Sequence, residues 1–306
     1  MKNKLLPRRK TRWEKILYPL LFLTPWIIGL FSLQIFPIFS SLYYSLTDFN
    51  LFTKPNFVGA TNYLLLLSDI RFLKACQVTT IFVFLGVPLQ LAFALCLAML
   101  LNRGISGLKY FRAIYYLPAL LGGSVAVGIL WRQVFGLEGL LNSALSSLGL
   151  PESMTSISWV SNPQYSLYTL VILRVWQFGS PMLIFLAGLK NIPAELYVSA
   201  SIDGAGKFRQ LINITIPMIS PLILFNLIMQ IISAFQSFTQ AYVVGGANGG
   251  ILDSLLFYTL YLYIMGFTFY RMGRASAMAW VLLLAIGVLT FGIIKISKKF
   301  VFYNEE

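Results

Sequence analysis

Six apolar stretches divide the chain, at residues 17–46, 72–101, 111–135, 165–189, 212–244 and 275–294. Each reaches the roughly 20 residues that a helix needs to cross about 30 Å of hydrocarbon. Their hydrophobicity is continuous. A membrane β-barrel strand would instead alternate every second residue. The pattern therefore predicts an all-α integral membrane protein with six spans. Prolines inside the stretches (Pro37, Pro88, Pro118, Pro181, Pro221) are compatible with membrane helices and kink them. One further apolar stretch, 251–269, is nearly long enough to cross. Leu252, Leu255, Leu256, Leu260 and Tyr263 recur in it at helical spacing. The expectation is a helix lying at the outer interface, with a seventh crossing as the alternative.

Composition agrees with this division. Apolar residues make up 58% of the 306-residue chain and charged residues 11%, too few charges to cover a soluble domain. The net charge of +13 does not point to nucleic acid, because the basic residues flank apolar runs and form no single patch. Sixteen of the 23 Lys and Arg residues fall before the first span, in the second and fourth connections, and in the tail. That bias places both termini in the cytoplasm, and the expected location is a bacterial cytoplasmic (inner) membrane. A basic segment, 1–16, thus precedes one transmembrane domain, 17–301, and a short tail, 302–306. The first apolar run is far too long for the core of a cleavable signal. Cys76 and Cys96 share one span and lie about 30 Å apart along a straight helix, beyond disulfide reach. There is no histidine, which removes the usual base and the commonest metal ligand. No phosphate-binding G-x-x-x-x-G-K-[ST] loop occurs; the Gly245–Gly250 cluster lacks its lysine. No nucleophile elbow, zinc-protease signature or carboxylate pair is present. The chain is expected to be non-catalytic and to hold no cofactor.

The fourth connection, about 190–212, carries an internal architecture of its own. Pro193 suits a first helical turn, Glu195 its positive end, and Gly204 the left-handed cap that stops it. A second helix then starts near Lys207. Small residues Ala194, Ser199, Ala200 and Ala205 allow another surface to come close. Read from residues alone, the segment is either a docking element or a compact loop that closes the bundle.

The segment Ile202-Asp203-Gly204-Ala205, followed by Ile214-Thr215-Ile216-Pro217, resembles the coupling motif of binding-protein-dependent ABC importers. The likeness extends along the chain. Leu23-Thr24-Pro25 and Phe36-Pro37 look like that family's first span, and Phe57-Val58-Gly59 with Asn62-Tyr63 its first outer loop. Phe111-Arg112-Ala113 and Tyr116-Leu117-Pro118 resemble the start of its third span. Phe185-Leu186-Ala187-Gly188-Leu189 leads into the coupling loop. Together they resemble the maltose-type, carbohydrate-importing branch, and imply a type I importer permease with a cytoplasmic coupling helix. The resemblance assigns ATPase coupling to Glu195, Val198, Ser199, Ala200, Asp203, Gly204 and Ala205. It departs in two places: the motif's Glu falls at Val198 and its first Ala at Ser199, and the Gly245–Gly250 loop lacks the family's proline. It also implies partners: a second homologous permease, two ATPase subunits that bind the ATP and Mg, and an extracytoplasmic sugar-binding protein.

For the transport path, Asn226, Gln230, Ser233, Ser237 and Gln240 are spaced four, three, four and three, which puts them on one face of the fifth-span helix. Polar groups facing lipid have no partner, so this face looks at protein or water. Phe235, Phe238 and Tyr242 lie near it. Amides, hydroxyls and aromatic faces suit a sugar; interhelical bonding, at about 0.6 kcal/mol per residue, is the alternative. In the fourth span Arg174 lies roughly 14 Å from the outer end, near the midplane, with Gln177 three residues on. A cation there costs on the order of 3 kcal/mol on insertion scales. No acid in the chain is placed to pair with it, which leaves the other permease, water, an anionic substrate or snorkelling. Within transport, another solute such as a glycerol phosphate is the runner-up. A secondary transporter driven by an ion gradient would need its own ion site, usually with broken helices and buried carboxylates.

Overall fold

The computed structural model describes residues 12–102 and 108–301. Lys2, Lys4, Arg8, Arg9, Lys10 and Arg103, which contribute to the charge bias, and the tail 302–306 lie outside them. Among the described residues the chain is helical, and the only β pairing is an isolated antiparallel bridge between Thr47 and Phe57. Helices α1 (Arg12–Leu30) and α2 (Phe36–Ser45) join through a π-helical turn, Phe31–Ile35, into the first span. Short α3 (Thr61–Leu67) leads to α4 (Ile70–Leu101). Asp69 starts α4 by accepting from the backbone N–H groups of Arg71 and Phe72 at 3.0 and 3.2 Å, as an N-cap does. Next come α5 (Leu108–Leu121) and α6 (Val125–Val134), then α7 (Leu140–Ser147) and α8 (Glu152–Thr155) in the connection. The fourth span is α9 (Ser166–Trp176) and α10 (Gly179–Lys190). Past it, α11 (Ala194–Ile202) and α12 (Lys207–Gln210) precede a π-helical turn, Leu211–Thr215, and α13 (Ile216–Phe235). The remainder is α14 (Thr239–Gly245), α15 (Tyr258–Tyr263) continued by π-helical Ile264–Thr268, and α16 (Met272–Ser297).

Among the described residues four helices are long and apolar enough to cross a membrane, and two bent pairs make six if each counts as one span. The six-span reading holds, with three corrections. The stretch 111–135 is not one rod: α5 and α6 meet at 96°. Gly122-Gly123 end α5 four residues after Pro118, and the Ser124 hydroxyl caps α6 by accepting from Val127 N–H at 3.3 Å. The fifth span stops at Phe235, short of residue 244. The backbone at Phe238 leaves helical geometry (φ −128°, ψ −56°), and the carbonyl of Ser237 accepts from the Thr259 hydroxyl. Ser237 and Gln240 therefore sit beyond the helix that carries Asn226, Gln230 and Ser233.

The third correction concerns 251–269. Its helix is too short to cross, and much of the stretch packs against protein. Its helical part, from α15 through Thr268, is only 11 residues long, about 16 Å at 1.5 Å per residue. Leu255, Leu256, Phe257 and Leu260 are wholly buried, whereas Leu252 is exposed. The segment packs on α4 and α16. Two contacts fix it from the α4 side: Thr79 Oγ1 accepts from Tyr258 N–H at 2.8 Å, and Arg71 forks onto the Asp253 carboxylate at 2.6 and 2.9 Å.

The core is centred on α4, whose buried residues recur every three or four positions from Phe72 to Leu101. It packs against α9, α10, α13 and α15. Glycine sets the closest approach: a Cβ at Gly188 of α10 would collide with Leu222 of α13. The end of α4 and the 190–212 connection share a cleft lined by Leu100, Asn102, Tyr197 and Lys207. The start of α13 and the end of α16 share another, lined by Ile216, Ile296 and Phe300. Lys190, Lys207, Arg209, Lys295, Lys298 and Lys299 are thereby gathered at one end of the bundle.

Candidate translocation site

The three helix breaks converge. Gln177 ends α9 where α10 departs at 41°, Gly122 ends α5, and 236–238 separates α13 from α14. Between them is a cavity of about 240 Å³. Its walls include Arg174, Gln177, Ser233, Gln236, Ser237 and Gln240, together with Phe82, Gly123 and Phe238. The breaks leave backbone carbonyls without helical partners, and side-chain amides take them up. Gln177 Nε2 donates to the Gly122 carbonyl at 3.1 Å, and Gln240 Nε2 donates to the same oxygen at 2.7 Å. Gln90 Nε2 donates to the Gln177 carbonyl at 3.0 Å.

Arg174 is 7% exposed, and it finds hydrogen-bond partners within the chain. Its Nε donates to Gln90 Oε1 at 3.0 Å, and Nη2 donates to both the carbonyl and Oε1 of Gln230 at 2.8 Å each. Nη1 reaches Ser233 Oγ at 3.4 Å. The guanidinium thus braces α4, α9 and α13 through neutral oxygens, and among the described residues no carboxylate pairs with it. Snorkelling is excluded, because the head group points into the bundle. Its Nη1 side remains at the cavity wall.

Of the seven residues expected on the path, Arg174, Gln177, Ser233, Ser237 and Gln240 line the cavity. Gln230 stands behind them as a ligand of Arg174. Asn226 is buried to 1% exposure and lines no part of it; its Nδ2 has no hydrogen-bond partner. From the cavity wall an aromatic run continues, Phe238 against Tyr242 and Tyr263 at 5.5 and 5.3 Å, and Tyr263 stacked on Phe267 at 5.1 Å. Gln90 and Gly122 were missed from the sequence. The signals were a carboxamide two residues after Pro88 in a long apolar helix, and a Gly-Gly pair inside the third apolar stretch.

The residues expected to couple to an ATPase lie on α11 and on the turn that ends it. Helix α11 buries none of its residues, and Val198 and Ile202 are 59% and 82% exposed. Gly204 takes φ +77°, and Ala205 N–H closes the turn on the Ala200 carbonyl at 2.8 Å, a left-handed helix stop. Glu195, Ser199 and Asp203 are exposed beside it. The Tyr197 hydroxyl bonds Thr215 Oγ1 at 2.9 Å, and Gln210 Nε2 donates to Ser201 Oγ and the Ala205 carbonyl at 2.9 and 3.0 Å. These bonds tie α11 to the base of α13. Among the described residues no three His, Cys, Asp or Glu side chains gather as metal ligands.

Residues 67–302 match the family model described as binding-protein-dependent transport system inner membrane component. The chain is a member of that family. The permease is 44% identical over 286 residues to the probable ABC transporter permease protein YesP of Bacillus subtilis (strain 168), covering 93% of this chain and 92% of that one. It is 34% identical to the lactose transport system permease protein LacF of Rhizobium radiobacter, over 89% and 91%. The arabinooligosaccharides transport system permease protein AraP of Bacillus subtilis (strain 168) is 32% identical, over 95% and 94%. A chain of a bacterial alginate ABC transporter, solved with an alginate pentasaccharide-bound periplasmic protein, superposes with a TM-score of 0.79 at 20% identity, covering 95% and 98%. At that identity the likeness speaks for the fold: the permease has the helical fold of an ABC importer membrane subunit.

Proposed function

We propose that this permease forms half of the translocation path of an ATP-driven importer for sugars or oligosaccharides. The observation that carries the reading is the cavity at the three breaks. Its polar wall consists of amides and hydroxyls with a single ionisable group, and Phe238 opens onto further aromatic rings. Such a wall suits a polyol, whose hydroxyls bond amides and whose ring faces stack. Relatives named for lactose and arabinooligosaccharide transport support the same substrate class.

In this reading the basic end, with both termini, faces the cytoplasm. A second homologous permease supplies the other half of the path, and an extracytoplasmic binding protein delivers the sugar. Two ATPase subunits hold ATP and Mg, and one docks on the exposed face of α11. The test is import by cells lacking only this permease, using labelled maltose, lactose, trehalose, cellobiose and xylobiose as probes. Loss of uptake of at least one of them, restored by the intact gene, supports the reading. Unchanged uptake of all carbohydrates tried, with loss of a non-sugar solute, overturns it.

A second reading, an acid-bearing sugar, draws on Arg174. Its charge meets no carboxylate among the described residues, and its Nη1 side lies at the cavity wall. Arg174→Gln lowering uptake of a uronate-bearing oligosaccharide, with assembly unchanged, supports that reading. A neutral sugar as the sole substrate refutes it.

A further inference from the structure

One carbonyl organises the polar wall of the cavity. The Gly122 oxygen accepts from Gln177, at the break of the fourth span, and from Gln240 of α14. A carbonyl can be met only by the NH₂ end of a carboxamide, so the orientation of both amides is fixed by chemistry. Their oxygens are the ends left over. Gln177 Oε1 accepts no hydrogen bond among the described residues, and Gln240 Oε1 receives only a long one, 3.4 Å from Ser237 Oγ. Both side chains line the cavity. Gly122 also has no room for a side chain: a Cβ would collide with Cγ of Gln177 and lie 2.5 Å from its Cδ. The glycine and the amide thus occupy adjoining space, and the carbonyl holds what the missing Cβ admits.

We propose that Gly122 is a positioning residue for substrate recognition: its carbonyl holds the Gln177 and Gln240 carboxamides with their oxygens towards the cavity, so that the site reads hydroxyl groups that donate. This rests on the sugar-import reading above. Two preorganised acceptors on different helical elements take donors from a polyol without reorienting, and they favour hydroxyls over groups that only accept. Because both amides hang on the carbonyl at the break of the third span, a displaced Gly122 disturbs both acceptors together.

The experiment uses the complete importer in proteoliposomes, with its binding protein saturated by a labelled neutral disaccharide that the wild type imports. Sugar accumulated per ATP hydrolysed is the readout. Gly122→Ala displaces Gln177, and Gln177→Glu keeps oxygens at the site but cannot donate to the carbonyl. Each is expected to lower sugar per ATP at least tenfold, while ATP hydrolysis stimulated by the loaded binding protein stays within twofold. The double variant is expected to be no worse than the poorer single, because both changes break one contact. Wild-type coupling in Gln177→Glu, or effects that multiply in the double variant, overturns the positioning role. Should Gly122→Ala fail to assemble, Gln177→Glu and Gln240→Glu are compared: the same loss in each supports the role, and normal coupling in both overturns it. A wild-type complex that imports none of the neutral sugars sinks the sugar reading itself, a different outcome from normal sugar import with indifferent variants.

Discussion

Removing Arg174 should harm the permease less than removing the groups that hold it. Arg174→Met deletes three short hydrogen bonds, to Gln90 Oε1 and twice to Gln230 at 2.8–3.0 Å. At about 1.5 kcal/mol for a bond to a charged group, that is a loss of roughly 4–5 kcal/mol. The same change removes a cation from the middle of the bundle, which returns on the order of 3 kcal/mol on insertion scales. The net loss is about 1–2 kcal/mol. Gln90→Leu runs the other way. It strips the guanidinium of its Nε partner and leaves the Gln177 carbonyl without its donor, while the charge stays buried. The expected cost is about 3 kcal/mol or more. In the double variant the charge is gone, so the cost should return close to that of Arg174→Met plus about 1 kcal/mol for the Gln177 carbonyl. Reversible unfolding by SDS in mixed micelles gives all three numbers. Arg174→Met costing more than Gln90→Leu, or additive effects in the pair, would refute the reasoning.

Other changes test separate parts of the fold. Gly204→Val should uncouple ATP hydrolysis from import with the complex still inserted; nothing crowds a Cβ there, so the cost is backbone strain of about 1–2 kcal/mol, and Gly204→Asn should be milder. Normal transport by Gly204→Val would contradict the coupling role. Gly188→Leu should cost more than about 2 kcal/mol by driving α10 from α13, read as loss of monodisperse complex on size exclusion. Bonds from the Asn56 side chain and backbone hold the Asp48 carboxyl below its ordinary value. A depressed folded-state pKa stabilises above the unfolded value of about 3.9 and is lost as pH falls through the folded one. Amide exchange in 48–58 should therefore quicken below about pH 4, and Asp48→Asn should exchange quickly at every pH.

The spans were legible because lipid imposes a simple rule: about 20 apolar residues, with charges outside. Breaks are written in weaker signals. Pro118 and Gly122-Gly123 stood in view, but a proline in a membrane helix fixes neither whether nor how far it bends, and the 96° turn depends on Ser124 capping α6. The polar repeat from Asn226 to Gln240 was real as a spacing and wrong as a single face. The helix ends at Phe235, yet Ser237 and Gln240 reach the same cavity through the break. Arg174 was flagged by its cost, but its partners were invisible, because Gln90 and Gln230 lie 84 and 56 residues away and neutral amides carry no charge signature. The internal packing of 251–269 was not legible, because contact with α4 and α16 gives the same helical spacing of apolar residues as contact with lipid.

Whether this chain is a binding-protein-dependent permease for a carbohydrate is tested most directly by reconstitution. The purified permease in proteoliposomes should neither hydrolyse ATP nor accumulate sugar under an imposed ion gradient. With the second permease and two ATPase subunits added, ATP hydrolysis and accumulation of a labelled sugar should rise together, and only when the sugar-loaded binding protein is present. Sugar uptake by the chain alone, driven by a proton or sodium gradient, would contradict the account.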